Sequence, residues 1–304
     1  MSLDLGIVIL NWNTRDLLRE CLQSIFASRG TLTFQVCVVD NASSDGSADM
    51  VREEFPTARV IASPVNGGYA AGNNLGLRAL SFGAGLTDGP RYALLLNPDT
   101  VVPPDGLAQM VAYLEARPRT GAAGPKLVLP SGELDLACRR SLALDAFIYR
   151  MVGLSWLFPR SRTFGKYNLT YLSPDEETEV GAVVGAFMLV RREAIAQAGL
   201  LDEGYFMYGE DLDWSFAIRR AGWDIRYNPA VTVLHVKRAA SRQSHQAQIA
   251  FHEAMLYFFR KHYAAQMPRP LSAVVLLGIY LNLYWTRLRE RFTRRAAPMP
   301  ATPA

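Results

Sequence analysis

Three carboxylates in four residues, Glu210-Asp211-Leu212-Asp213, stand where the sequence predicts the start of a helix. Helix N-termini favour negative charge, so capping is one reading of this cluster. The other is acid–base work. The apolar stretch Tyr205-Phe206-Met207-Tyr208-Gly209 precedes it, and a carboxyl beside such a wall is raised toward a useful proton-taking range. A second constellation is Asn97-Pro98-Asp99, delivered by the apolar run Leu94-Leu95-Leu96. Pro98 biases Asn97 toward an extended backbone, and hard oxygen ligands at a strand end suit a divalent cation carrying diphosphate. An Asx-Pro turn is the structural alternative. Asp40 ends another apolar strand, where a carboxylate either accepts a base N–H or ribose hydroxyl or caps the next helix. Asn66-Gly67-Gly68-Tyr69 reads either as a tight turn or as a backbone that approaches phosphate or sugar closely. His235 closes a strand as a structural residue or a ligand, whereas His245, His252 and His262 have no evident partner.

The elements that must position these residues alternate. Strands are expected at Leu5–Leu10, Phe34–Val39, Arg59–Ala62 and Tyr92–Leu96, with helices at Arg15–Ser28 and near Gly72–Leu80. That alternation argues for a parallel sheet with right-handed crossovers, and ligands on such sheets bind beyond the carboxyl ends of the strands. The polar loops lie at those ends. Residues 130–178 show no clean period and read as a variable insertion able to shape a cleft. Further elements are expected at Val183–Val190 (strand), Arg191–Ala198 closed by Gly199 (helix), Asp211–Ala221 (helix), Val231–Val236 (strand) and Gln246–His262 (long helix).

Composition narrows the class. Half of the 304 residues are hydrophobic and 20% are charged, which supports a sizeable core and excludes a disordered or collagen-like chain. Cys21, Cys37 and Cys138 form no C-x-x-C pair, against a disulfide scaffold or zinc ribbon and in keeping with a reducing cytosol. No charged-then-apolar leader opens the chain, so secretion is not expected. Neither a G-x-G-x-x-G after the first strand nor a Walker A loop is present. The net charge of +4 divides unevenly: the stretch from Arg260 onward carries +7 and the remainder −3. Nucleic acid is disfavoured as a partner of the main domain, and an anionic membrane surface is favoured near the C-terminus.

Six stretches, in order, resemble the inverting glycosyltransferases of family 2, and among them the bacterial rhamnosyltransferase-like enzymes of cell-surface polysaccharide assembly. They are Val8–Asn13, Val38–Ser47, Asn66–Asn74, Leu95–Thr100, Gly185–Arg192 and Gly209–Trp214. The resemblance implies a GT-A fold: an α/β, Rossmann-like, mostly parallel central sheet flanked by helices, here with a C-terminal helical extension. It implies that Asn11, Asn13, Asp40, Asn66, Gly68, Asn73 and Asn97 bind the nucleotide sugar, Asp40 reading a pyrimidine base. It further implies that Asp99 and His235 hold a divalent cation, Mn²⁺ or Mg²⁺, and that Asp211, paired with Glu210, is the general base. Asn97 departs from the family's D-x-D pattern by replacing its first Asp, and the Q-x-x-R-W motif of processive synthases is absent after the E-D helix.

The expected organisation is a catalytic domain over 1–240, a helical membrane-surface segment over 241–295 and a disordered tail over 296–304. The run Pro270–Trp285 is interrupted by Asn282, followed by Arg287, Arg289, Arg291, Arg294 and Arg295, and falls short of the roughly 18 consecutive apolar residues of a spanning helix. An interfacial helix with a basic flank fits it, as does a helix docked on the core or on a second subunit of a homodimer. The expected activity is inverting transfer of a sugar, L-rhamnose from dTDP-rhamnose as the leading choice and a UDP-sugar as another, to a glycan or lipid-linked acceptor. The expected location is the cytoplasmic face of the cell membrane. A sugar-1-phosphate nucleotidyltransferase and a catalytically inactive nucleotide-sugar-binding scaffold are the competing classes. The first lacks its glycine-rich basic loop at Asn11–Arg15, and the second rests on Asn97 alone.

Overall fold

The computed structural model describes residues 3–83, 85, 88–136, 140–141, 143–236 and 245–296. Cys138 and the tail 297–304 lie outside the described residues. The chain divides into two compact units, Met1–Phe206 with Glu210–Lys237, and Met207–Gly209 with Arg238–Ala304.

The first unit opens as expected, with strands β1 (Leu5–Asn11), β2 (Phe34–Asn41), β3 (Arg59–Ser63) and β4 (Tyr92–Leu96) mutually parallel in the order β3-β2-β1-β4. Helices α1 (Arg15–Phe26), α2 (Ser47–Glu54) and α3 (Gly68–Ala79) form the crossovers. Helix α1 buries Leu17, Leu18, Cys21, Leu22 and Ile25, one stripe at helical spacing. Helix α3 lies unusually near the sheet, because a Cβ added at Gly72 or Gly76 would sit 2.3 Å from Leu10 or 2.4 Å from Val8. The ladder pairs Asn11 with Asp40 and Ile9 with Leu96, so the carboxyl ends of β1 and β2 are level and β4 stops two residues short of them.

The remaining elements are β5 (Thr100–Val101), α4 (Gly106–Glu115), β6 (Thr120–Val128), α5 (Leu144–Met151), α6 (Leu154–Leu157), β7 (Thr178–Glu179), β8 (Phe187–Arg191), α7 (Arg192–Ala198), α8 (Glu210–Arg220) and β9 (Asp224–His235). The sheet continues β4-β8-β6-β9-β5, with β7 also on β9. Here the sheet ceases to be parallel. β8 runs antiparallel to both β4 and β6, and β5 antiparallel to β9. β8 is shorter than the expected strand from Val183, since the Gly185 N–H is turned out of the ladder toward a side chain, Asp211. β9 is longer than expected and absorbs a register shift against β6 at Pro125/Lys126. Cys21 and Cys37 are free, buried thiols.

The second unit is built on α9 (His245–His262) and α10 (Arg269–Ala296). They run antiparallel, tied by Arg287–Glu253 at 2.6 Å and by the Arg260–Tyr280 hydrogen bond. Phe258, Phe259, Ile279 and Leu283 are buried, while Leu271, Val274, Leu277, Tyr280, Leu281, Tyr284 and Trp285 are exposed. The helix is longer than the apolar run suggests. Over Arg269–Leu288 it is long and apolar enough, by length and composition, to cross a membrane.

Candidate active site

At the level ends of β1 and β2, Asn11 donates from Nδ2 to Asp40 Oδ1 at 3.0 Å and to Ser43 Oγ at 3.1 Å. The Ser43 N–H donates to Asp40 Oδ2 at 3.0 Å. Asn13 takes a left-handed backbone (φ +53°) and accepts the Ser44 N–H at 2.8 Å. Asn11, Asn13 and Asp40 therefore form one cluster. Asn66 belongs to a second, with Asn41, a residue the sequence reading did not single out. Asn41 Nδ2 donates to Asn66 Oδ1 at 2.7 Å, and that oxygen also takes the Gly68 N–H at 3.0 Å.

Gly68 is a glycine for a different reason from the one its motif suggested. Its φ is +86°, and a Cβ there would lie 2.3 Å from the Phe206 carbonyl oxygen. The close approach is thus to the chain entering the carboxylate cluster, sealed by the Tyr69 N–H donating to Phe206 O at 2.6 Å. Asn73 is buried, with its amide nitrogen donating to the Tyr69 carbonyl one turn back in α3 at 2.9 Å. Its side chain also acts on the Tyr69 phenol, which links it to Asn97.

Asn97, just past β4, accepts the Tyr69 hydroxyl at 3.4 Å, and the same hydroxyl donates to Gly185 O at 2.9 Å. Burial, then Glu210 and Asp211, push the Tyr69 phenol well above its usual value, so it remains a donor. Asp99 and His235 meet because β5 pairs Thr100 with His235 and the Val236 N–H donates to the Asp99 carbonyl at 2.8 Å. His235 Nε2 lies 3.3 Å from Asp99 Oδ1. Its Nδ1 is 2.9 Å from Oδ2 of Asp135, a buried carboxylate from the supposed variable insertion. A carboxylate on Nδ1 fixes the ring and aims Nε2, the arrangement in which metal-ligating histidines are held. The chemistry of this donor set, one hard oxygen and one oriented imidazole, fits a divalent cation completed by diphosphate oxygens. Among the described residues no group of three or more His, Cys, Asp or Glu side chains could hold an ion. Among the described residues Asp99 and His235 meet here as a pair.

Asp211 is the second residue of α8, which is anchored by buried Leu212, Trp214 and Ile218 and by the Trp214 indole N–H donating to Gly199 O at 2.8 Å. Its oxygens take the Gly185 N–H at 3.2 Å and the Leu212 N–H at 2.8 Å, and both lie 3.4 Å from Nη1 of Arg140. Glu210 is equally buried but differently served. Among the described residues its Oε2 has no hydrogen-bond partner. Burial, reinforced by the neighbouring Asp211 charge, pushes its carboxyl up to about 8. Two adjacent acids are thus separated by environment, one facing a guanidinium and two N–H groups, the other holding its proton at neutral pH. Asp213 takes a structural contact, accepting the Tyr205 hydroxyl at 3.2 Å. A chain of contacts, Asn97–Tyr69–Gly185–Asp211, joins the β4 end to the acid pair.

A parallel nucleotide-binding-like half, a mixed half that continues the sheet through antiparallel β8, and an acid pair on the helix beyond it give the architecture of a GT-A glycosyltransferase. The chain belongs to glycosyltransferase family 2: the family model described as "Glycosyltransferase like family 2" matches residues 4–250. It is similar, at 31% identity over 228 residues (74% of this chain and 73% of the relative), to an N-acetylglucosaminyl-diphospho-decaprenol L-rhamnosyltransferase of Mycobacterium tuberculosis. It is 29% identical over 166 residues (53% of this chain and 58% of the relative) to rhamnosyltransferase WbbL of Escherichia coli. These relatives place it in the rhamnosyltransferase-like branch. In fold it is similar to the mannosyltransferase PcManGT of Pyrobaculum calidifontis, solved with GDP-Man and Mn²⁺. That likeness has a TM-score of 0.59 at 20% identity and covers 99% of this chain and 78% of the other.

Proposed function

We propose that this chain is an inverting rhamnosyltransferase. It moves L-rhamnose from dTDP-rhamnose, or failing that another sugar from a pyrimidine nucleoside diphosphate, to a lipid-linked glycan in cell-surface polysaccharide assembly. The observation that carries the reading is the environment of Asp211, a carboxylate aimed by Arg140 and Gly185 and linked through Tyr69 to the Asn97–Asp99 loop. The names of the mycobacterial and E. coli relatives support the sugar, and the first supports a diphospho-polyprenol acceptor.

In this reading Asn11, Asn13 and Asp40 hold the nucleoside, and Asn66 and Gly68 shape the pocket's edge. Asn73 supports that edge from within α3. Asp99 and His235 hold a divalent cation, Mn²⁺ or Mg²⁺, with Asp135 fixing the imidazole. When bound, the ion supplies Lewis-acid stabilisation of the negative charge that develops on the departing diphosphate. Asp211 accepts the proton of the acceptor hydroxyl as that oxygen attacks the anomeric carbon from the face opposite the diphosphate. The bond to the diphosphate breaks with its electron pair leaving on the diphosphate, and configuration inverts. Glu210, its carboxyl pushed up to about 8, keeps its own proton at neutral pH, so the acceptor's proton is assigned to Asp211. The exposed stripe of α10 and its arginines are assigned to the cytoplasmic membrane surface.

A donor panel tests the reading. With a polyprenyl-diphosphate-linked N-acetylglucosamine acceptor, dTDP-L-rhamnose is expected to give the fastest transfer among dTDP-, UDP- and GDP-sugars. Equal or faster transfer from GDP-mannose would overturn the donor assignment.

A further inference from the structure

Outside the site, the first unit carries an apolar tip that its own packing does not explain. α6 and all of α5 after Asp145 lie within a 29-residue stretch, 146–174, that contains Arg150, Arg160, Arg162 and Lys166 and no acidic residue. The inner side of this segment is satisfied. Ala146 and Phe147 are buried, Tyr149 meets Phe164 edge-on at 5.0 Å, and Phe158 leans on Phe164 at 5.6 Å. Thr170 bonds the Pro159 carbonyl, and Arg150 lies over the Tyr167 ring at 5.6 Å. Outward stand Val152 (64% exposed), Trp156 (80%), Leu157 (60%) and half-exposed Phe158, with exposed Arg160 and Arg162 following directly. The nearest acid in the segment, Asp145, is taken by Lys166 at 2.6 Å, and among the described residues neither arginine has a carboxylate partner.

We infer that the Val152–Arg162 tip docks on an anionic lipid bilayer, its apolar side chains entering the interface and Arg160 and Arg162 pairing with lipid phosphates. Charge decides the occupant: Lys166 is paired with Asp145, and the exposed Arg160 and Arg162, with no acidic residue over 146–174, complement a negatively charged surface. Composition agrees, since Trp, Leu and Phe beside basic residues are the side chains that partition into the headgroup boundary. Size argues against a second copy of the chain. The four side chains expose on the order of 500 Å², below the ~800 Å² that each partner buries in a stable interface. This surface belongs to the catalytic unit and is independent of the α10 stripe and of which sugar is transferred.

The test is sedimentation of the full-length protein with vesicles of phosphatidylcholine and phosphatidylglycerol. The C-terminal helix is identical in every variant, so its contribution cancels in the ratio to the parent. Trp156→Ser with Leu157→Ser is expected to lower the partition coefficient at least about tenfold. Arg160→Gln with Arg162→Gln is expected to lower it about 25-fold at low salt, roughly fivefold per charge, and by little at high salt. Both variants should keep the parent's thermal midpoint and its transfer to a soluble acceptor analogue, because these side chains are exposed and outside the site. Unchanged partition in both variants, or a parent that ignores the vesicles, overturns the inference. So does a change of oligomeric state in either variant with vesicle binding intact, which would make the tip a subunit contact.

Discussion

Replacing Glu210 by Gln should make the protein's stability less dependent on pH, with a calculable sign. Glu210 is buried beside Asp211, and its carboxyl is pushed from the ordinary 4.5 to about 8, first by burial and then by the Asp211 charge. Between those two values the unfolded chain has lost this proton while the folded chain keeps it. Folding therefore takes up a proton, and stability falls as pH rises from 4.5 toward 8, by up to about 1.4 kcal/mol per pH unit. Above the folded value the loss stops growing, having reached several kcal/mol. Gln has the same shape and cannot ionise, so it escapes that loss. It brings instead an amide whose nitrogen inherits the place of an unpartnered oxygen, at a pH-independent cost of about 1–3 kcal/mol. Urea unfolding of parent and variant at half-unit steps through this window isolates the Glu210–Asp211 pair, because groups that do not interact with residue 210 cancel in the difference. Glu210→Gln should be the less stable protein at the acid end and gain on the parent until it is the more stable at the alkaline end. A stability difference that stays flat with pH would mean that Glu210 is not held protonated, and the division of labour with Asp211 would fall with it.

Other consequences can be checked separately. Asp135→Ala removes the carboxylate on His235 Nδ1 and should weaken Mn²⁺ binding to the nucleoside diphosphate complex about 10–100-fold by calorimetry; unchanged affinity would take His235 out of the ligand set. Arg140→Met leaves the buried Asp211 without its counter-charge and should cost on the order of 3 kcal/mol, the low end for a buried pair because the contacts are 3.4 Å, while Arg140→Lys recovers part of it. Equal unfolding free energies for parent and Met variant would show that Asp211 does not depend on the guanidinium. Gly68→Ala places a Cβ on the Phe206 carbonyl at φ +86° and should lower stability by at least about 1–3 kcal/mol; a thermal midpoint equal to the parent's would contradict the close approach.

The parallel half was legible because its strands are unbroken apolar runs that end in polar loops, as at Leu5–Asn11 and Tyr92–Leu96. β6 was not. Its sequence TGAAGPKLV has small residues and a proline where propensity asks for branched ones. Tertiary packing is the reason: a Cβ at Gly121 would lie 2.6 Å from Trp223, and one at Gly124 2.9 Å from Val183. α2 was anticipated only as the helix that Asp40 could cap and was given no bounds, because only Met50 and Val51 among its apolar side chains mark a buried face. Within the site, motif residues such as Asn11, Asp40, Asp99 and Asp211 could be singled out because each stands at the end of a readable element. Asp135 and Arg140 could not, since they meet their partners across 100 and 71 residues of sequence. Their segment, 130–178, has no period of its own, and these two contacts are visible only once β9 and α8 are folded against it.

The most direct measurement compares Asp211→Asn with Glu210→Gln in a transfer assay at saturating donor and acceptor, with donor affinity measured alongside. If Asp211 takes the acceptor proton, the Asn variant binds donor as the parent does and loses about 10²–10⁴-fold in transfer rate, while the Gln variant stays within about tenfold. A near-parental rate for Asp211→Asn, or a reversal in which only Glu210→Gln is inactive, would contradict the assignment of the base and with it the proposed mechanism.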